Sequence, residues 1–243
     1  MIITKRIKSI AEKCVAPKDF VPVNVLSWHK RDTKYFTLSP YHLKTDGNEI
    51  AGTPAGVLFE NMYQATKVYP NSYKQEIYCH PRFNGNPKYL WWKWDENEKM
   101  FEDNDILPHY YKWRQSLWDC SHPIRYPVGI TNRKKCLFSF IPNTQERLDY
   151  ITARKRIYVF EYCRLIRMTP EYKQLVDLVK SGTSICIFEI DVPDKTKRGN
   201  YNKVNNDDTF VCTKESINLL INDPTEAFGH GLCIAKSLIE DLS

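Results

Sequence analysis

Apolar and polar positions in the first half of the chain predict a strand, a helix and a long loop. The β-rich run at 20–29 contains Pro22, which cannot donate to a sheet ladder, so we expect an edge strand there. Val57–Tyr69 has a helical pattern that stops at a Pro-Asn pair. The segment at about 70–110 is rich in Asn, Pro and Tyr around the cluster LWWKW, and it predicts an ordered, aromatic-rich insertion.

The second half predicts more helix than strand. Leu148–Ile166 is the longest helix candidate, and a further helix begins after Thr169 as N-cap and ends before Gly182. The apolar run at 184–192 predicts a buried strand. The remaining elements are a mobile polar loop at 194–208, a strand at Phe210–Cys212, a helix capped by Thr213 and a last helix from Gly231.

Together these elements predict the α+β class, predominantly helical with a few short strands. No internal repeat or low-complexity linker interrupts the chain, so we expect a single globular domain over residues 1–243. No apolar run approaches the roughly 18 residues of a spanning helix, and the basic N-terminus lacks the features of a signal peptide. We therefore expect a cytoplasmic protein, or one of the host cytoplasm if a phage encodes it, with no membrane partner.

Composition narrows the chemistry only in part. The 243 residues include 35 Lys and Arg against 29 Asp and Glu, a net charge of +6, and 13% are aromatic. This mixture suits phosphates and flat bases, and it equally suits an aromatic core under a solvated surface. The eight cysteines form no C-x-x-C pair, and no His or Cys grouping has zinc spacing. We expect free thiols in a reducing compartment, no metal and no cofactor.

The segment GVLFENMYQATKVY at 56–69 is the most informative. On a helix Glu60, Gln64 and Lys67 fall at i, i+4 and i+7 and share one face, while apolar residues occupy much of the rest. A helix surrounded by apolar residues is buried, so its charged groups must be paired or line a cleft. The alternative is a solvent-facing stripe of helix-spaced polar residues.

Short motifs around this helix give the chain a family resemblance. The stretch YFTLSPY at 35–41 and a DG turn at 46–47 precede the E-x-x-x-Q-x-x-K helix, and FEID at 188–191 and FGHGL at 228–232 follow. The order resembles the NADAR superfamily of YbiA-like N-glycosidases, although Pro40 and Phe228 replace the Asn and Trp of the family motifs. RYPVG at 125–129 and LDYITARK at 148–155 also resemble an uncharacterised group of phage and bacterial proteins.

The resemblance implies a YbiA-like fold and a hydrolase that cleaves the C1–N bond of a ribosyl-phosphate or ADP-ribosyl compound, including an ADP-ribosylated nucleobase. Such a reaction requires a carboxylate at an oxocarbenium-like centre and an acid for the departing nitrogen. Glu60 is the candidate carboxylate and Asp191 a second one. Lys67 acts by charge or as a nucleophile that forms a Schiff base, and Gln64 holds a ribose hydroxyl.

Further substrate-binding roles are expected for six residues, each with an ordinary structural alternative. Guanidinium groups bind phosphate, but a basic run on a helix is usually a solvated face. Aromatic rings stack on bases, but they are commoner in cores. Backbone N–H groups at a helix start bind anions, but Gly pairs are also common in loops. The residues are Ser39, Tyr41, Trp113, Arg125, Arg154 and Gly229.

Three functional hypotheses remain open. The first is the N-glycosidase acting on a small nucleotide-like substrate, or on nucleic acid that carries a modified base. The second is a nucleic-acid-binding or base-processing protein, of viral or other origin, whose basic groups hold a strand; its affinity would fall steeply with salt. The third is a catalytically inactive module that keeps a nucleotide or ADP-ribose pocket. For the first, we expect Glu60, Gln64 and Lys67 to line one cleft with Asp191 or Glu189 within reach.

Overall fold

Both strands and helices are present in a computed structural model that describes residues 1–9, 11–26, 34–47, 52–77, 90–128, 132–193, 196 and 208–242, with the backbone alone for 72–77 and 90–96. The strands are β1 (Ile2–Arg6), β2 (Val21–Asn24), β3 (Lys67–Val68), β4 (Asn71–Ile77), β5 (Leu90–Lys99), β6 (Phe101–Glu102), β7 (Asp105–Ile106), β8 (Phe138–Ile141), β9 (Glu146–Leu148), β10 (Ile185–Glu189) and β11 (Thr209–Val211). The helices are α1 (Phe59–Ala65), α2 (Pro108–Trp118), α3 (Tyr150–Ala153), α4 (Phe160–Arg167), α5 (Pro170–Lys180), α6 (Lys214–Ile221) and α7 (His230–Asp241), with a π-helical stretch at Arg154–Val159.

The contacts of the chain divide it into two compact units. Unit 1 consists of Met1–Leu43 and Arg154–Ser243, and unit 2 of Lys44–Ala153. Helices combine with mixed sheets, which agrees with the expected mixture of α and β structure, although the described part has more strands than the few that the sequence predicts. The single domain and the YbiA-like fold stay predictions. None of the described helices is long and apolar enough to cross a membrane.

Unit 1 is built on a four-stranded sheet in the order β11-β1-β10-β2. Strand β10 is wholly buried and pairs in parallel with both β1 and β2, and β11 pairs with β1 in antiparallel fashion. The predicted buried strand is confirmed. The prediction for Pro22 is also confirmed, because β2 lies at the edge of the sheet and a residue without an N–H is tolerated there.

A buried carboxylate fixes the start of α7 in unit 1. Glu189, at the end of β10, accepts hydrogen bonds from the backbone N–H groups of Ile190, Asp191 and Gly231 at 2.7, 3.1 and 2.6 Å. His230 Nδ1 lies 3.1 Å from the same carboxylate. The helix N-terminus favours an anion, and the chain supplies that anion itself. The expected role of the Gly229 turn is therefore met within the protein, by a side chain rather than a substrate.

Gly229 is required by this packing. A Cβ atom at residue 229 would overlap the carboxyl carbon of Glu189 and lie 2.7 Å from each of its oxygens. The φ of Gly229 is −77°, which any residue adopts, so space and not backbone conformation demands glycine here.

Helix starts in the second half follow the sequence signals. Thr169 Oγ1 accepts from Tyr172 N at 3.3 Å, and Thr213 forms a reciprocal capping box with Ser216. The N-caps predicted for α5 and α6 are confirmed. The predicted Leu148–Ile166 helix begins later, at Tyr150, because Asp149 accepts from the N–H groups of the first turn.

The expected loop at 70–110 is wrong for the described part of that range. Strands β4 and β5 pair in antiparallel fashion, with Gln75 opposite Trp92, and α2 begins at Pro108. Strands β6 and β7 form a second hairpin whose two turn residues, Asp103 and Asn104, have φ of 48° and 67°. Such a two-residue turn matches the twist of a hairpin. The aromatic residues of this range therefore act as strand formers, while 78–89 lie outside the described residues.

The predicted Val57–Tyr69 helix is shorter than expected. It ends at Ala65, the Thr66 hydroxyl donates to Tyr63 O at 2.8 Å, and Lys67 and Val68 pair with β8 as strand β3. Ladder pairing outweighs the helical pattern for these residues. The mobile loop expected at 194–208 lies almost entirely outside the described residues, as do residues 27–29 of the first predicted strand.

We expect Gly229→Ala to lower the free energy of unfolding by about 1–3 kcal/mol, because the added methyl group overpacks the Glu189 carboxylate. In a Glu189→Ala background the same change should cost less than about 0.5 kcal/mol, because the overlapping group has been removed. Denaturant unfolding of the four proteins measures both values. Equal costs in the two backgrounds would show that Gly229 is needed for another reason.

Candidate functional site

Helix α1 of unit 2 carries the candidate site, and all seven of its residues are buried. This contradicts the solvent-facing stripe and agrees with the buried helix that the apolar pattern predicts. Glu60 and Gln64 are each only 6% exposed, so their polar atoms must find partners inside the protein.

Those partners are one another. Gln64 Nε2 donates to Glu60 Oε1 at 2.8 Å, and Lys67 Nζ donates to Gln64 Oε1 at 2.9 Å. The Gln64 amide thus donates through its nitrogen to Glu60 and accepts through its oxygen from Lys67, so the three side chains form one hydrogen-bonded chain. We call this the Glu60–Gln64–Lys67 chain.

Lys67 joins this chain from a strand rather than from the helix. The prediction that it lies at i+7 on the helix face is wrong, because α1 has ended and Lys67 pairs with Ser139 of β8. Its ammonium nonetheless turns back toward α1 and lies 4.7 Å from the centroid of the Tyr63 ring, a distance suited to a cation–π interaction. Lys67 is partly buried and does not extend into bulk solvent.

Burial lowers the pKa of Lys67 from its ordinary value of 10.5. The nearby Cys136 and Glu60 oppose this shift, and the positive charge of Arg125 adds to it. Desolvation disfavours the ammonium form, which leaves a larger fraction of neutral amine at a given pH. A neutral amine is the form of lysine that attacks a carbon centre.

Asn61 positions Arg125 beside this chain. The Asn61 amide donates to the carbonyls of Cys120 and His122 at 3.2 and 2.9 Å and accepts from Ile124 N at 2.8 Å. The segment 120–124 is thus tied to α1, and Arg125 follows it directly. Its guanidinium carbon lies 5.2 Å from the centroid of the Tyr126 ring.

Unit 2 therefore brings together four residues that the sequence singled out, namely Glu60, Gln64, Lys67 and Arg125. Sequence reasoning missed Asn61, Tyr63 and Cys136. An Asn enclosed by the apolar residues of FENMYQA is a signal that would have identified Asn61, because a buried amide must bind something. Cys136 is distant in sequence, so only the β3–β8 pairing places it near Lys67.

Trp113 and Arg154 make the contacts of residues that stabilise the fold of their own units. Trp113 is 1% exposed and packs in the core of unit 2, with its ring centroid 6.0 Å from that of Tyr69. Arg154, in unit 1, is buried and its guanidinium donates to the carbonyls of Leu220, Ile221, Asp223 and Glu226. It thereby satisfies the end of α6, a task for which cations are favoured.

Three further expected residues lie, like Arg154, in unit 1: Ser39, Tyr41 and Asp191. Ser39 is buried and its hydroxyl accepts from Tyr41 N at 3.3 Å, within the turn that follows a short 3-10 helix at Phe36–Leu38. Asp191 is partly buried, and its carbonyl accepts from Gly229 N at 2.9 Å. Proximity of Asp191 or Glu189 to Lys67 would join the two units and stays a prediction.

Unit 1 also contains an open groove of about 1200 Å³ between α4, α6 and α7. None of the expected site residues lines it, and two of the cations that line it, Arg167 and Lys236, pair with Glu240. Across the described ranges, no group of three His, Cys, Asp or Glu side chains is arranged to hold a metal ion. The seven described cysteines are free thiols, and five of them are buried.

No family model, curated protein or solved structure matches the chain. The resemblance to the NADAR superfamily therefore rests on the order of its short motifs, and the geometry of the Glu60–Gln64–Lys67 chain is the independent observation about the site.

We expect the Lys67 ammonium to titrate below 10.5, and two substitutions to move it in opposite directions. Glu60→Gln removes a charge that raises the pKa and should lower it further, whereas Arg125→Gln should raise it. The pH dependence of the lysine side-chain NMR signals, assigned through Lys67→Arg, measures these shifts. Arg133→Gln, which removes a cation from the other contact of the Tyr126 ring, is the matched control and should leave Lys67 unchanged.

The same shift has a consequence for stability. Since the pKa of Lys67 is lower in the folded state, the unfolded chain binds more protons between that value and 10.5. The contribution of Lys67 to the free energy of unfolding should therefore rise with pH across this interval. Lys67→Met should lack this component, and an identical pH profile in both proteins would contradict the lowered pKa.

Proposed function

We propose that the protein is an N-glycosidase that hydrolyses the C1–N bond of a ribosyl-phosphate or ADP-ribosyl compound. The observation that carries the proposal is the buried Glu60–Gln64–Lys67 chain, which holds a carboxylate and a lysine of lowered pKa in one hydrogen-bonded line. The motif order that resembles the NADAR superfamily supports the same assignment, and the YbiA-like fold belongs to this proposal.

Lys67 is the proposed nucleophile. Its neutral amine attacks ribose C1, and the C1–N bond breaks with its electron pair on the base nitrogen, which takes up a proton as Nζ loses one. The C1–O bond of the sugar ring then breaks with its electron pair on the ring oxygen, which takes up the remaining Nζ proton, and an imine between C1 and Nζ is left. Water hydrolyses that imine and regenerates the amine. In the alternative scheme Lys67 stays charged and stabilises the leaving group or a phosphate electrostatically.

Gln64 and Glu60 support this chemistry in different ways. Gln64 positions Nζ through its Oε1, so it acts on the nucleophile as well as on the ribose hydroxyl expected from sequence. Glu60 fixes the Gln64 amide and supplies the negative charge for an oxocarbenium-like centre. Arg125 is the proposed phosphate ligand, because its charge already acts on Lys67 and guanidinium binds phosphate bidentately. Asp191 stays the second candidate carboxylate expected from the sequence.

The nucleic-acid-binding alternative has less support. Arg154, one of its expected contacts, uses its guanidinium on four carbonyls of its own unit. The side chains of the LWWKW cluster lie outside the described residues. The inactive-module alternative differs from the proposal only in turnover.

Incubation with ribosylated bases, NAD and ADP-ribosylated DNA, followed by mass spectrometry, should detect release of free base. Lys67→Ala and Glu60→Gln should each lower the rate by about 10²-fold or more, the usual scale for a lost nucleophile or acid–base group. Lys112→Ala removes an exposed lysine from α2 of the same unit and should keep the wild-type rate. Wild-type turnover by folded Lys67→Ala would exclude Lys67 from the reaction.

Borohydride separates the two schemes for Lys67. If Lys67 attacks C1, reduction during turnover should leave the sugar on Lys67 as a stable amine, visible in the intact and peptide masses. If Lys67 acts by charge, no adduct forms and Lys67→Arg should keep part of the rate. An adduct on another lysine would contradict both.

A further inference from the structure

Arg114, in the middle of α2 in unit 2, is a buried cation with no counter-ion among the residues that the structure describes. The residue is 6% exposed, and among the described residues no carboxylate pairs with it. Its Nε and Nη2 atoms are buried and lack a hydrogen-bond partner in the part of the chain that the structure describes. Buried charges in proteins are paired or hydrogen-bonded, and an orphan guanidinium therefore requires an explanation.

The two orphan atoms are the ones that bind oxoanions. Nε and Nη2 form the side-on edge of a guanidinium, where two N–H bonds point in parallel and receive two oxygens of one carboxylate or phosphoryl group. Both donors of this edge lack a partner among the described residues. The whole edge, and not a single atom, can therefore receive a bidentate ligand.

Two further orphan groups lie in the same region. The Arg114 guanidinium carbon is 4.3 Å from the centroid of the Trp118 ring, and the buried Trp118 Nε1 lacks a partner across the described ranges. A Cβ added at Gly52 would lie 3.5 Å from Arg114 Nη2, so the backbone at residue 52 passes beside the same edge. Thr53 follows, and its buried hydroxyl has no partner within the described residues either.

We propose that Arg114, Trp118 and Thr53 form a binding site for a phosphoryl group. Arg114 supplies the bidentate edge and the positive charge, and the indole N–H and the hydroxyl bind further oxygens. Trp118 covers a face of the guanidinium instead of extending its plane, so the indole N–H lies outside the plane of the Arg114 donors. A tetrahedral phosphoryl group offers oxygens outside the guanidinium plane, whereas a planar carboxylate does not.

This site goes beyond the proposed glycosidase and does not depend on it. It uses none of the residues of the Glu60–Gln64–Lys67 chain, and it is defined by binding and not by turnover. No sequence pattern distinguishes Arg114, since a single Arg on an ordinary helix is usually solvated; its burial without a partner among the described residues does.

Binding of inorganic phosphate and pyrophosphate, measured by calorimetry and by the unfolding midpoint at matched ionic strength, tests the site. A ligand that binds only the folded protein raises the midpoint with its concentration. Phosphate should do so and acetate should not. Arg114→Met should weaken phosphate binding by at least about tenfold, as expected when a charge-assisted bidentate contact is lost. Trp118→Phe, which keeps an aromatic ring and removes the N–H, should weaken it by about threefold or more.

Lys112→Met is the matched control, because it removes one exposed cation from the same helix and should keep the wild-type affinity. In phosphate-free buffer Arg114→Met should unfold at the same or a higher temperature than wild type, since an unpaired buried charge has been removed. The proposal is overturned if wild type binds neither phosphate nor pyrophosphate at millimolar concentration. It is also overturned if acetate binds equally well, or if Trp118→Phe and Arg114→Met bind like wild type. If the protein releases free base but does not bind phosphate, the Arg114 site is overturned and the proposed glycosidase is not.

Discussion

Burial of α1 is the constraint on which the candidate site depends. Because every residue of this helix is enclosed, its polar side chains can be accommodated only by contacts inside the protein. Asn61 meets that demand by binding the segment before Arg125, and Gln64 meets it by joining Glu60 to Lys67. Satisfying the helix therefore also assembles the site, since the same hydrogen bonds bring two cations and a carboxylate together.

Buried charged side chains have different kinds of partner in the two units. In unit 1, Glu189 is satisfied by three backbone N–H groups and His230, and Arg154 by four carbonyls. Both serve to fix helix ends, and neither has reason to bind a ligand. In unit 2, Lys67 has an amide and an aromatic ring in place of a direct ion pair, and Arg114 has the Trp118 ring against it and no carboxylate partner among the described residues. Groups left in that state are the ones from which ligand binding is expected.

Sequence patterns predicted the parts of the fold that local chemistry decides. Caps at Thr169 and Thr213 and the edge position of Pro22 follow from hydrogen-bonding rules that act within a few residues. The end of α1 and the β4–β5 hairpin could not be predicted, because strand pairing with distant partners decides them. The same limit applies to the site: spacing identified Glu60, Gln64 and Lys67, whereas Cys136 and the orphan edge of Arg114 emerge only from packing.

A double-mutant cycle on the free energy of unfolding with Glu60→Gln and Lys67→Met shows whether these side chains act as one unit. Glu60 and Lys67, joined through Gln64, form one buried hydrogen-bonded chain. We therefore expect a coupling energy of about 1–3 kcal/mol between the two substitutions, as found for residues in one network. Additive effects, within about 0.3–0.5 kcal/mol, would contradict this and identify the Glu-Gln-Lys pattern as an arrangement of independent side chains.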